Sequence, residues 1–394
     1  MHPHFSPEVP LKVKRALAAA VVPFILATVV GVVLLWPRGV QTDDSAGLGP
    51  GTDLWRARVV SAAPAPCEGS HGPVELQCIA VSARLSEGPS EGESVRVEIV
   101  DESNAPDVRA GDRVILGHSP DAPPPFNYYF NDFERRVPLI ALGALFAAVV
   151  VALGRWKGLM ALAGFALSLA ILIFFVLPAI LGGTSPLAVA IVGASAVMLG
   201  ALYMAHGVNV RTTTAALGTF GSLALTGLLA LLFVEGSRLT GFSSEEAVFL
   251  NLRASQINLQ GLVLAGIIIG SLGVLDDVTI TQASAVWELR LANPSYGFRE
   301  LYRSALVIGR DHIASTVNTL LLAYAGAALP LFILFTLAET KLGTVVNSEI
   351  VAEEIVRTLV GSIGLVAAVP ITTGLAALVV SRATPAQGGS SDRT

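Results

Sequence analysis

The chain has 394 residues and a formal net charge of -5, with 14% charged and 53% hydrophobic residues. Soluble globular proteins carry about 25% charged residues, so this composition, with its mean hydropathy of +0.67, excludes an ordinary water-soluble enzyme. Disorder is excluded except at the two ends, because apolar content is far too high. The fold class this predicts is an α-helical polytopic membrane protein of about eight transmembrane helices.

Residues 1–15 read as a cytoplasmic N-terminus and 16–36 as a transmembrane anchor. Lys12, Lys14 and Arg15 stand before it as they would before a signal peptide. Its apolar run, about 20 residues, exceeds the usual h-region of about 7–15 and no clear A-x-A site follows, so an uncleaved anchor is expected.

Residues 37–136 form the one long polar segment, opening on QTDDSAGLGPG and closing on DAPPP. The runs LWRARVV, VELQCIAVSARL, SVRVEIV and GDRVILG alternate or are β-branched, and each is bounded by Gly, Pro or Asp. They predict four or more strands in a small extracytoplasmic β-domain, an OB-like barrel. Cys67 and Cys78 close a short loop there. On the oxidising side of a membrane they form either a disulfide, stabilising by roughly 3 kcal/mol, or two buried thiols.

Residues 137–381 predict a seven-helix membrane domain, with spans near 137–154, 158–181, 186–206, 214–234, 259–276, 312–337 and 358–381. Residues 382–394 predict a disordered cytoplasmic tail. With the N-terminus inside, the inner segments carry twelve Lys/Arg and the short outer loops four, namely Arg238, Arg253, Lys341 and Arg357. That asymmetry predicts a multi-pass protein of a bacterial plasma membrane with both termini cytoplasmic. It places 23 of the 30 acidic residues outside, which argues against a nucleic-acid partner.

Polar residues inside spans are costly and need a reason. In GIIIGSLGVLDDVTITQASAVWEL, Gly266, Gly270, Gly273 and Asp277 follow at steps of four, three and four, and Thr281, Ser284 and Glu288 continue that face. The glycines predict a close helix approach. Asp276 and Asp277 read either as ion- or proton-handling carboxylates or as groups that cap a helix or pair with an arginine. The next span opens with Arg310, Asp311 and His312; Ser315 and Asn318 follow Asp311 on one face, and Pro330 invites a break. Arg310 is the expected partner of Asp276 or Asp277 at the inner border. A third polar set, His206, Asn209, Arg211 and Thr212 to Thr214, joins two spans on the same side, so the three sets either line one vestibule or are ordinary loop polarity.

No metal site is expected, since CxxC and HExxH spacings are absent. GVLDD is not a GxGD motif, DDVTI lacks a third Asp, and neither GxSxG nor a P-loop occurs. No enzymatic activity and no cofactor are therefore expected. Offset by 104 residues, Thr212 falls on Thr316, Glu235 on Glu339, Thr240 on Thr344, Ser244 and Glu245 on Ser348 and Glu349, and Arg253 on Arg357. This is either a parallel duplication with paired short outer helices, of the kind transporters use, or coincidence.

GSLGVLDDVTITQASAVWEL, then NPS, then ELYRSALVIGRDHIASTVNTLLLAYAGAALPL resemble the YibE/F family, and FERRVPLIALGALFAAVVVALGRWKGLMAL is similar to its entry into the membrane. The resemblance covers roughly 130–380. Two departures stand out. VTITQAS carries Gln282 where the family has small apolar residues, and His312 follows GRD where the family continues small and apolar. The resemblance implies a multispanning membrane protein and supplies no substrate. Intramembrane polar groups, glycines and span prolines together point to a secondary transporter or permease of a small solute or ion. The alternative is a membrane anchor that presents the outer β-domain in an envelope assembly.

Overall fold

The computed structural model describes residues 9–37, 53–67, 77–120, 122–123, 126–338 and 341–383. The expected tail beyond residue 383, the whole QTDDSAGLGPG linker, the loop between the cysteines and the first eight residues lie outside the described residues. The chain divides into two compact units, 41–149 and 1–40 with 150–394.

In the first unit, alternation of apolar and polar residues produces five strands: β1 (Asp53–Pro66), β2 (Gln77–Leu85), β3 (Ser94–Val100), β4 (Arg113–His118) and β5 (Tyr128–Phe133). They form one antiparallel sheet in the order β3-β2-β1-β4-β5. Residues two apart point to one face. Accordingly Ala57 and Val59, Val81 and Ala83, and Val114 and Leu116 make the core. The long β1 pairs with β4 along its first half and with β2 along its second, and its register shifts between Val59 and Ser61. That irregularity bends the strand, and β3 and β5, at opposite ends of the order, come into contact. The sheet is therefore a half-barrel. Gly88 has φ +98°, and a Cβ there would stand 2.6 Å from the Trp55 ring, so this turn needs glycine both for its backbone and for the indole above it. Cys67 and Cys78 are bonded to each other. At the rim, Arg56 donates to Glu87 at 2.7 Å, and this hydrogen bond holds the Glu87 carboxyl below its ordinary range.

The second unit is helical, and the first half of α2 belongs to the first unit. The helices are α1 (Leu11–Leu35), α2 (Arg136–Ile171), a π-helical turn Leu172–Val176, α3 (Leu177–Leu181), α4 (Pro186–His206), α5 (Val210–Gly236), α6 (Glu245–Arg253), α7 (Leu259–Ala292), α8 (Phe298–Ala327), α9 (Leu329–Leu337), α10 (Leu342–Asn347) and α11 (Glu349–Val380). Among the described residues six helices are long and apolar enough to cross a membrane, and α8 with α9, bent by 60° before Pro330, would make a seventh. The stretch Arg136–Leu181 counts as one of the six but has 46 residues, about twice what a bilayer core needs. Arg155 interrupts it with φ 52° and ψ -130°, between the two spans expected there.

α7 is the centre of the bundle. Expected as a marginal span ending near 276, it runs unbroken to Ala292 and packs against α4, α5, α8 and α11. Met198, Leu202, Ala216, Leu272, Leu275, Leu365 and Ala368 fill the shared core. Glycines bring α5 and α11 together: a Cβ at Gly218 would meet Thr372 Oγ1 at 2.2 Å, and one at Gly364 would meet Thr226 Oγ1 at 2.0 Å. The Thr219 and Thr279 hydroxyls bond at 2.7 Å between α5 and α7. Gln282 donates to the Ala305 carbonyl at 2.9 Å and to Thr373 at 3.1 Å, which ties α7 to α8 and α11. α1 joins through Phe24 stacked on Phe220.

The 104-residue offset is not repeated in the helix boundaries. α5 begins at Val210, whereas the aligned position lies inside α8. Glu245–Arg253 is the separate helix α6, capped by Ser244, whereas the aligned Glu349–Arg357 forms the first turns of α11. The segment after α5 and the start of α11 instead meet through Glu349, whose carboxylate accepts from the Thr240 hydroxyl at 2.8 Å, from the Gly241 amide at 2.8 Å and from the Thr240 amide.

Candidate functional site

The α7 sequence turns Gly273, Asp276, Asp277, Ile280, Thr281 and Ser284 to one side, as steps of three and four dictate. With His206 from the end of α4 these residues line a cavity of about 440 Å³. Asp277 and Thr281 are exposed and Asp276 is half-buried. The Oδ1 of Asp276 is buried without a hydrogen-bond partner, which is costly unless a ligand, water or proton satisfies it. Lys157, Arg211 and Asp277 lie within electrostatic range of His206. The site thus has two carboxylates, two hydroxyls and an imidazole, with two cations close by.

The α4–α5 corner that presents His206 is built locally. Asn209 accepts from the Thr212 amide and donates to the His206 carbonyl, both at 2.9 Å, so Asn209 serves as the α5 cap. Thr212 and Thr214 are buried, and Thr214 bonds back to Val210. Their polarity belongs to the turn and the helix rather than to the cavity.

Of the expected site residues, Asp276, Asp277, Thr281 and Ser284 come together. Glu288 is exposed one turn beyond and does not line the cavity. Arg310, Asp311 and Asn318 are also exposed and absent from it. The expected pairing of Arg310 with Asp276 or Asp277 is not formed, since no ion pair joins them among the described residues. The reason is azimuth. α8 meets α7 where Gln282 faces Ala305 and Gly309. Asp277, five residues before Gln282, points about 140° round the helix from that contact.

The glycine face of α7 does not hold a closely packed helix either. Opposite Gly266 the nearest atom is Nη2 of Arg357, opposite Gly270 it is the Tyr324 hydroxyl, and Gly273 faces open space. Gly266, Gly270 and Gly273 are exposed along α7, on the stretch between the Asp277 cavity and a second polar cluster. There Arg357 donates to Glu354 at 2.6 Å. Glu353 is 7% exposed, and its Oε1, like the Arg357 Nε, is buried without a partner. Glu353, Glu354 and Arg357 were missed because VAEEIVR is charged enough to read as loop. The available signal was the i, i+3 spacing of Glu354 and Arg357, which extends the helix outward. Among the described residues no group of three His, Cys, Asp or Glu is placed to hold a metal ion.

Apolar helices around a polar-lined cavity define an integral membrane protein. A family model described as YibE/F-like protein matches residues 142–382. That is more than half of the chain, and the chain belongs to the YibE/F family. No curated protein and no solved structure matches it.

Proposed function

We propose that the chain is a secondary transporter or permease that moves a small solute or ion across a bacterial plasma membrane. The observation that carries this reading is the polar-lined cavity at Asp276, Asp277 and His206, from which the exposed α7 glycines lead towards the cluster at Glu353, Glu354 and Arg357. Unpartnered polar atoms at both ends mark where a hydrated or charged species is accommodated. The chain crosses the membrane eight times in this reading: Arg155 divides the 46-residue stretch into two crossings, and bent α8–α9 makes one. Both termini are cytoplasmic, and the outer unit is an OB-type barrel, a reading supported by its five-strand order and the approach of β3 to β5. No enzymatic step, cofactor or nucleic acid is part of this function. The partners are the lipid bilayer and the transported species.

Purified protein in liposomes, assayed for ion and solute flux with and without a pH gradient, tests this. Flux that Asp276→Asn abolishes while the protein stays folded is the expected result; no flux under any gradient sinks the reading. The orientation is tested separately: Ser90→Cys should react with an impermeant thiol reagent in intact cells and Ser295→Cys should not. The second reading, a membrane anchor for the outer domain, draws on that domain's own core and disulfide. It predicts silent liposomes together with capture of envelope proteins through residues 53–133.

A further inference from the structure

α8 leaves the bundle partway along its length. Its buried residues are Leu301, Ala305 and Gly309, all before Arg310. Beyond that point Ile313 and Val317 still touch the core, Leu320 approaches Gly361, and Leu321 and Tyr324 line a cleft against α11. These contacts fix the bundle side. At 100° per residue, Asp311, Ser315, Asn318 and Leu322 lie roughly 150° away from it, and all four are exposed. The side chains of Asp311, Ser315 and Asn318 have no hydrogen-bond or ion-pair partner among the described residues. Asn318 is about 10 Å further along the helix axis than Asp311. If Asp311 stands at the inner border, Asn318 projects into the hydrocarbon, where an unsatisfied amide is not tolerated.

We propose that this face of α8 is the interface between two copies of the chain, related by a twofold axis along the bilayer normal. The argument for a second copy is self-complementarity. Such an axis sets each residue opposite its own counterpart at the same depth. An asparagine amide and a serine hydroxyl each donate and accept, so Asn318 and Ser315 pair with themselves. A carboxylate cannot, and Asp311, at the start of this face, stays at the hydrated border of the membrane. Ala314, Ser315 and Gly326 are small, and nothing lies over Gly326, which lets two such helices approach closely. The interface rests on the membrane assignment and is independent of whether the protein transports anything.

Disulfide trapping in native membranes tests it. Cys67 and Cys78 are bonded to each other, so a single added thiol can pair only with its counterpart. Under mild oxidation Ser315→Cys and Leu322→Cys should run at twice the chain mass, and Val317→Cys, on the bundle side, should not. Asn318→Leu removes the amide at an exposed position and leaves the bundle contacts of α8 untouched. It should raise the dimer dissociation constant in detergent roughly eightfold, from two lost interhelical hydrogen bonds. One chain per nanodisc for the wild type, or trapping at Val317 equal to that at Ser315, overturns the proposal. So does an Asn318→Leu variant that dimerises as tightly as the wild type.

Discussion

Replacing Gly218 by alanine should destabilise the bundle, and trimming Thr372 should restore it. The new methyl would stand 2.2 Å from Thr372 Oγ1 and 3.0 Å from its Cβ, so α5 and α11 must separate or the threonine must turn away. Inserting one carbon into a packed interface costs about 1–3 kcal/mol. The Thr372 hydroxyl has no hydrogen-bond partner, so Thr372→Ala loses only packing, about 1 kcal/mol. The double variant should then be at least ~1 kcal/mol more stable than the two single losses added together. The reciprocal contact differs: Thr226 donates to the Ser222 carbonyl at 2.9 Å, so Gly364→Ala must break that bond or push the helices apart and should cost more. Thermal unfolding in one detergent, followed by circular dichroism, reads all four variants. Additive losses, or a Gly218→Ala protein that melts like the wild type, would show that the helices are not in contact here.

Gln282→Leu should lower the unfolding midpoint by removing the link from α7 to α8 and α11, at about 1–3 kcal/mol; an unchanged midpoint would count against that link. Asp277→Asn and Arg310→Gln should have additive effects on folded yield, because the structure leaves them unpaired; recovery in the double variant would reinstate the pair. The Glu87 carboxyl is held low by Arg56, so its stabilising effect is full above the ordinary carboxylate value of about 4.5 and fades as pH falls through the lower folded value. Acid unfolding of the outer domain, read by Trp55 fluorescence, should therefore lose part of its pH dependence in Glu87→Gln. The change should be small, because the pair is solvent-screened.

The apolar helices were legible because hydrocarbon demands length and apolarity, and the break at Arg155 fell where charge interrupts the run. The strands were legible because β-branched alternation is local. What the sequence concealed was direction around each helix. Arg310 stands near Asp277 in any linear account, yet the Gln282 contact with Ala305 turns the two apart. The Gly266 to Gly273 ladder suggested a packed helix, whereas Arg357 and Tyr324 lie over it. The true close approaches, at Gly218 and Gly364, pair with threonines in a different helix, and no spacing within one helix reveals them.

α7 has 34 residues, so it is about 50 Å long, against a hydrocarbon core of about 30 Å. It contains no proline and has no break. A rod of that length cannot bend locally to open one end: a tilt of about 5° about its middle would carry each tip about 2 Å in opposite senses. Its glycine face carries Asp277 beside that midpoint and lies under Arg357 towards the Leu259 end. In the transport reading, the same small rocking leaves the carboxylates almost in place and shifts the helix under Arg357 by about 1 Å. The helix at the centre of the bundle is then a lever whose pivot lies at its own carboxylates.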